Sequence, residues 1–565
     1  MEKEVTRRNF LKKTTKVLTL ASLGGCGLLL GGCISKKEFD LVIKEATLFD
    51  GQGNQGFMAD IGIAGEMIKS IGKIPGSAGK RVIDARNLAL SPGFIDVHDH
   101  TGVELLVNPR AESSIHQGIT TLVSGNCGSS PFPIAEETFE KQRQSLEEEF
   151  QIELNWRDIK GFFSRLEEKG ISLNYATLVG HGSIRGAAMG FSNRKPSPEE
   201  MERMKAMVAE SMEGGALGLS SGLEYAPGGF AEPEEIIELC KIAAHYRGVY
   251  ATHMRDEEDF VLEALAEAID AARRSGTSLQ ISHLKTCNPR NWGKIDRALA
   301  IIEEAKKEGI DIFCDRYPYI AYSTGLSIYF PLWAREGKDE DFLKRLRDTS
   351  LESKIRSHLT EEEKKLGSWD RVLISSVFTE KNKKFEGKNI LESSKEAKKE
   401  PFEFMRDLLV EEKNRVAIIG FAMSEDNLRK ILAHPLVGVG TDGAAIAPYG
   451  LLARGKPHPR HYGTFPRVLG KYVREEKILP LEKMIEKITS IPARKFGFQK
   501  RGVVEKGYFA DLVLFDPDKI IDRATWVMPH QFPLGVEYVL VNGKVVVERG
   551  KHTGSLPGKI LKKKP

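Results

Sequence analysis

From Phe94 to Thr441 the chain repeats one unit, a short apolar run followed by a longer stretch with apolar residues at helical spacing. The runs fall near 94–98, 120–124, 175–180, 216–221, 248–253, 278–283, 309–314 and 436–441. Between them, Pro233–His245 and Phe260–Arg274 carry apolar residues three and four apart, and Ile301–Lys307 does so with a strongly charged outer face. Continuous apolar runs are the mark of strands buried on both faces, and helical links make successive strands parallel. Eight such units predict an α/β protein, a TIM (β/α)8 barrel spanning 94–496. The interval between the seventh and eighth runs is far too long for one helix. Much of 325–430 therefore reads as an insertion of mixed character and a candidate lid.

The two ends of the chain resemble each other. Leu41–Ile43, Asp60–Ile63 and Arg81–Ile83 are short runs separated by turns such as Asp50-Gly51. Ala510–Phe515, Tyr538–Val541 and Lys544–Val547 repeat the pattern, the last two joined by the hairpin signal Asn542-Gly543. Neither end alone could bury a core, so 38–93 and 497–560 predict one discontinuous β-sandwich domain.

In a barrel, reactive groups belong at the C-terminal ends of the strands. His98 and His100 close the first run, and residues two apart point to the same side of a strand. Cys127 follows the second run, His253 ends the fifth, His283 the sixth and Asp442 the eighth. Metal ligands and proton-transfer groups gathered at five of eight strand ends predict a metal or catalytic site. His181, after the third run, suits a hydrogen-bonding or packing role at the same face. His116, His245, His358 and His434 fall in helical stretches, and Cys240, Cys287 and Cys314 read as buried small residues.

The segments around these positions are SPGFIDVHDH (91–100), GITTLVSGNCG (118–128), GALGLSSGLEYAPG (215–228), YATHMRDE (250–257) and ISHLK (281–285). DRYPYIAYST (315–324), VGTDG (439–443) and HPRHYGTFPRVLG (458–470) complete the set. In them the chain resembles the D-aminoacylase (N-acyl-D-amino-acid deacylase) family of the amidohydrolase superfamily, over about 38–560. The resemblance implies hydrolysis of the amide bond of N-acyl-D-amino acids to a carboxylate and a free D-amino acid. It implies a zinc ion held by Cys127, His253 and His283, with His98 and His100 forming the other half of the site, for a second, weaker metal or none. Asp442 would act as general base and then acid, and Lys285, Tyr317 and Ser323 would contact substrate, Lys285 at its carboxylate. One departure is Thr101-Gly102, where family members often carry acidic residues after the second histidine. A scaffold does not fix a substrate, so a cyclic-amide hydrolase (dihydroorotase-like) or dipeptidase stays open. So does a non-catalytic binding lipoprotein, although Asp442 beside a set of metal ligands weighs against it.

The N-terminus reads as an address. Thr6-Arg7-Arg8-Asn9-Phe10-Leu11-Lys12 resembles a twin-arginine export signal, and an apolar stretch then runs to Leu30-Gly31-Gly32-Cys33, which resembles a lipobox. Leu23-Gly24-Gly25-Cys26 has the same form, but cleavage there would leave an apolar remnant on the mature chain. The expectation is removal of 1–32, lipidation at Cys33 and an extracytoplasmic, membrane-anchored enzyme. Of 83 basic and 79 acidic residues, six and two lie in 1–32, leaving 77 of each in the body. A neutral body gives no reason to expect nucleic-acid binding. The partner expected is a small-molecule N-acyl amino acid. The remaining cysteines are widely spaced, without a CxxC pair, so no disulfide framework is indicated.

Overall fold

The structure, a computed structural model, describes residues 37–563. The export pattern and both candidate lipidation cysteines, Cys26 and Cys33, lie outside the described residues. Among the described residues no helix is long and apolar enough to cross a membrane.

Five strands open the described residues: β1 (Phe39–Leu48), β2 (Phe57–Ala64), β3 (Met67–Gly72), β4 (Gly79–Asp84) and β5 (Ala89–Pro92). The barrel follows with β6 (Phe94–Asp96), β7 (Ile119–Ser124), β8 (Asn174–Thr177), β9 (Val179–Gly180), β10 (Gly218–Gly222), β11 (Val249–His253), β12 (Ser278–Ile281) and β13 (Ile312–Arg316). Only Leu178 separates β8 from β9, and the two act as one kinked strand, β8 pairing with β7 and β9 with β10. The barrel's remaining strand, β17 (Val437–Val439), comes after an inserted three-stranded sheet of β14 (Ala321–Gly325), β15 (Val372–Ser376) and β16 (Ala417–Phe421).

All barrel pairings are parallel. The ring closes where the chain beyond β6 meets the chain beyond β17. Asp442 N–H donates to His98 O at 2.7 Å and His100 N–H to Gly443 O at 2.7 Å. Glycine is required at this seam, because a Cβ on Gly440 would sit 2.6 Å from the Cβ of His98. Period-two alternation then sorts the side chains. Val249, Ala251 and Phe313 turn into one cluster with Ile95, Val123 and Phe496, while Tyr250, Ile312 and Cys314 turn into the larger cluster beneath the helices. Helix Val261–Ser275 shows why these stretches are helical: Val261, Ala264, Leu265, Ala268 and Ala272 form its buried stripe. It stops at Gly276, whose φ of 76° gives a left-handed cap.

The insertion has a core of its own, including Trp369, Ile374, Met405 and Ile418. Its sheet spans Ala321 to Phe421, and helix Glu425–Ala433 then returns the chain to β17.

The last strands, β18 (Leu512–Phe515), β19 (Val536–Val541), β20 (Lys544–Glu548) and β21 (Lys551–His552), join β1–β5 in one continuous nine-stranded sheet. The sandwich expected from the sequence is thus a single hydrogen-bonded sheet bent over a shared core of Leu41, Ile43, Ile61, Ile83, Leu512 and Leu540. The bend lies in β1. Its first half pairs with β4 and its second with β5, and the register breaks between Ile43 and Ala46, with Glu45 at φ 58°.

A buried polar cluster ties this sheet to the barrel. Asp511 bonds Arg501 and accepts from Asn174 Nδ2 of β8 at 3.1 Å, while Asn542 Nδ2 donates to Asn174 Oδ1 at 2.9 Å.

Candidate metal centre

His253 is the last residue of β11, and the other candidate ligands stand just beyond their strands, where the backbone turns out of the barrel. Cys127, His283 and Asp442 do so in the left-handed region, at φ 50°, 36° and 50°. Non-glycine residues adopt it at a cost, and such strain concentrates at functional sites. Asp96 braces the seam by accepting from Thr441 N–H at 2.9 Å and from the Thr441 hydroxyl at 2.6 Å.

The side chains converge. Cys127 Sγ lies 3.4 Å from His98 Nε2 and 3.5 Å from His283 Nε2. His253 Nδ1 is 2.9 Å from His283 Nε2. Asp442 Oδ1 is 2.9 Å from His100 Nε2 and 3.4 Å from His98 Nε2. One donor atom each from His98, Cys127, His283 and Asp442 falls within 4.8 Å of the others, as do donors of His253, Glu257 and His283. Ligand bonds of about 2.0–2.3 Å in a tetrahedron put donors roughly 3.3–3.8 Å apart. The cysteine–histidine spacings fit that figure, and a thiolate with imidazoles is a donor set suited to zinc.

Electrostatics favour the ligand forms. Burial opposes ionisation of Cys127, but the imidazoles of His98 and His283 outweigh it and hold the thiol well below its usual range. Burial also opposes ionisation of Asp442, and here Arg460, with His98 and His100, holds the carboxyl well below the usual carboxylate range.

A carboxylate stands beside the outer nitrogen of three of the histidines, each in a segment that the resemblance picked out without giving that residue a role. Asp315 lies 3.1 Å from His98 Nδ1, Glu257 lies 2.9 Å from His283 Nδ1, and Glu224 lies 3.2 Å from His253 Nε2. Arg460 bonds Asp442 Oδ2 at 2.7 Å and lies over the Tyr317 ring. It belongs to the HPRHYG segment, which the resemblance picked out without giving this residue a role.

The expected substrate contacts are placed differently from one another. Lys285 is buried, with Nζ 2.5 Å from both oxygens of Glu257 and 2.7 Å from His283 Nδ1, so its charge is already paired. The Tyr317 hydroxyl and Arg460 Nε are buried and find no hydrogen-bond partner among the described residues. Ser323 stands half-buried on β14. All four residues line a cleft of about 830 Å³ that also exposes Cys127, His253, His283 and Asp442. The insertion supplies one wall through Tyr322, Tyr329 and Arg335.

His181 lies apart from the ligand cluster, its Nε2 2.8 Å from Glu235, beside Arg185. Cys240, Cys287 and Cys314 are free and buried. Thr101 is buried too, its hydroxyl accepting the Ala445 N–H at 2.7 Å, so the departure after His100 serves the seam between first and last strands.

A parallel barrel with histidine, cysteine and aspartate donors at its strand ends defines a metal-dependent amidohydrolase. A sequence model of the amidohydrolase family matches residues 401–547. N-acyl-D-glutamate deacylase of Alcaligenes xylosoxydans xylosoxydans is 34% identical over 94% of this chain and 97% of its own. The crystal structure of N-acyl-D-glutamate deacylase from Bordetella bronchiseptica, complexed with zinc and a phosphonate mimic of the tetrahedral intermediate, is 32% identical, with a TM-score of 0.79 over 93% of this chain and 100% of that one. A D-aminoacylase structure describing a binuclear metal centre is 33% identical, with a TM-score of 0.78 and the same coverage. The chain belongs to the D-aminoacylase (N-acyl-D-amino-acid deacylase) family.

Proposed function

We propose that this chain hydrolyses the amide bond of N-acyl-D-amino acids, with a zinc ion held by Cys127, His253 and His283. His98 and His100 form the other half of the site, for a second, weaker metal or none, and Asp442 is kept for proton transfer. The observation that carries the reading is the position of Asp442, a buried carboxylate within 3.4 Å of both histidines of the first strand and opening on the cleft.

Zinc bound at these residues would bring the pKa of a water toward neutrality and polarise the substrate carbonyl. Asp442 takes the proton of the attacking water through Oδ1 and returns it to the leaving nitrogen, which departs as the free amino acid. Arg460 keeps Asp442 ionised until that transfer. Arg460 Nε and the Tyr317 hydroxyl, both without a partner among the described residues, hold the substrate carboxylate, with Ser323 beside them. Lys285 serves first as the counter-charge of Glu257.

The test is amino-acid release by the zinc-loaded enzyme from matched N-acetyl-D and N-acetyl-L amino acids with apolar, acidic and basic side chains. Release from D substrates alone is expected, and Asp442→Asn is expected to lose turnover while retaining its metal. Equal D and L rates would remove the stereochemical part. Release from none, with hydrolysis of cyclic amides or dipeptides, would replace the substrate class.

We also place the enzyme outside the cytoplasmic membrane. The support is the twin-arginine pattern at Arg7-Arg8 and the lipobox ending at Cys33. A single acyl chain binds a membrane only marginally, whereas a multiply acylated lipoprotein cysteine gives a stable anchor.

A further inference from the structure

We propose that Glu224 is a positioning residue, whose carboxylate orients His253 for metal binding through the imidazole's outer nitrogen. The proposal rests on the reading of His253 as a ligand. Nδ1 is the nitrogen of His253 that faces the donor cluster, 2.9 Å from His283 Nε2. That leaves Nε2 pointing away, buried and without an aligned hydrogen bond among the described residues. A ring nitrogen in that place carries the proton when its partner nitrogen binds metal, and the proton needs an acceptor.

Two carboxylates are near enough. Glu224 Oε2 lies 3.2 Å from Nε2 and a Glu257 oxygen 3.8 Å. Glu257 is already committed to His283 Nδ1 at 2.9 Å and to Lys285. Among the described residues Glu224 has no other side-chain partner, and it is held from behind, Oε1 accepting the Glu257 N–H at 3.2 Å.

The local chain fixes this approach. Glu224 follows β10, and Leu223 N–H donates to the carbonyl of His253 itself at 3.1 Å. The Tyr225 ring packs on the imidazole with centroids 4.9 Å apart. Glu224 thereby completes a pattern, since His98 has Asp315 and His283 has Glu257 in the same relation. Removing such a partner weakens metal binding by about 10- to 100-fold.

Zinc affinity, read by competition with a chromophoric chelator, tests the assignment, with the cobalt(II) absorption spectrum reporting ligand geometry. Glu224→Ala should bind zinc 10- to 100-fold more weakly and shift the cobalt bands. Glu224→Gln, which keeps an acceptor oxygen, should recover part of the loss. Glu362→Gln, which alters a cleft carboxylate paired with Lys365, should bind as the parent does. Parent-like zinc affinity and cobalt bands in Glu224→Ala, with only KM altered at saturating zinc, would overturn the proposal in favour of a substrate contact. An equal loss in Glu362→Gln would overturn it in favour of general cleft charge. A parent enzyme that fails to bind zinc would instead overturn the metal reading beneath both.

Discussion

Arg460 stands 2.7 Å from Asp442, both largely buried, so little solvent screens the pair. The positive charge favours the ionised carboxylate and keeps Asp442 low. Arg460→Gln should therefore raise the pKa of Asp442. The acidic limb of the kcat/KM profile should move to higher pH, and kcat/KM at neutral pH should fall by roughly 10- to 100-fold, the worth of a charged hydrogen bond to substrate. A pH–rate profile with an unmoved acidic limb would contradict this. The stability effect has the matching sign. A depressed carboxyl stabilises the fold above its unfolded value near 4 and loses that contribution as pH falls toward the folded value. The ligands at this scale were legible because each of Cys127, His253, His283 and Asp442 ends or directly follows an apolar run. Glu224, Glu257 and Asp315 were not. All three lie inside segments that carry the family resemblance, but nothing in those segments gives them a role, which only their proximity to the histidines in space supplies.

Trp369 shows how the insertion serves the cleft without touching the chemistry. It is 2% exposed, its ring packs edge-on to Tyr329 at 5.0 Å, and Tyr329 in turn hydrogen-bonds Tyr322 through their hydroxyls. Both tyrosines face the cleft. Trp369→Ala should destabilise the insertion by about 3–5 kcal/mol. KM should rise more than kcat falls, with zinc content unchanged; loss of zinc on the same substitution would show that the insertion supports the metal centre too. The eight barrel runs announced themselves through burial on both faces. The inserted sheet did not, because only four residues separate β13 from β14, inside a segment that reads as one motif. The bend in β1 was equally hidden. It turns on Glu45, a residue type with no preference for the left-handed conformation it adopts.

At the scale of the molecule, the N-terminal pattern makes its own prediction. The mature protein should sediment with membranes and enter a detergent phase, and Cys33→Ser should release it while Cys26→Ser should not. Release by Cys26→Ser alone would move the processed cysteine, and release by neither would remove the lipid.

The nine-stranded sheet has a consequence in time as well as in space. Strand β5 pairs with β18, Ala89 opposite Phe515, so the first strands made wait for partners made more than 400 residues later. Closing so long a loop is slow, and until then β5 offers an open edge to any neighbour. A ribosome must therefore deliver nearly the whole chain before the fold can lock. The half-made molecule keeps that edge unpaired, so the sheet is completed only as synthesis ends.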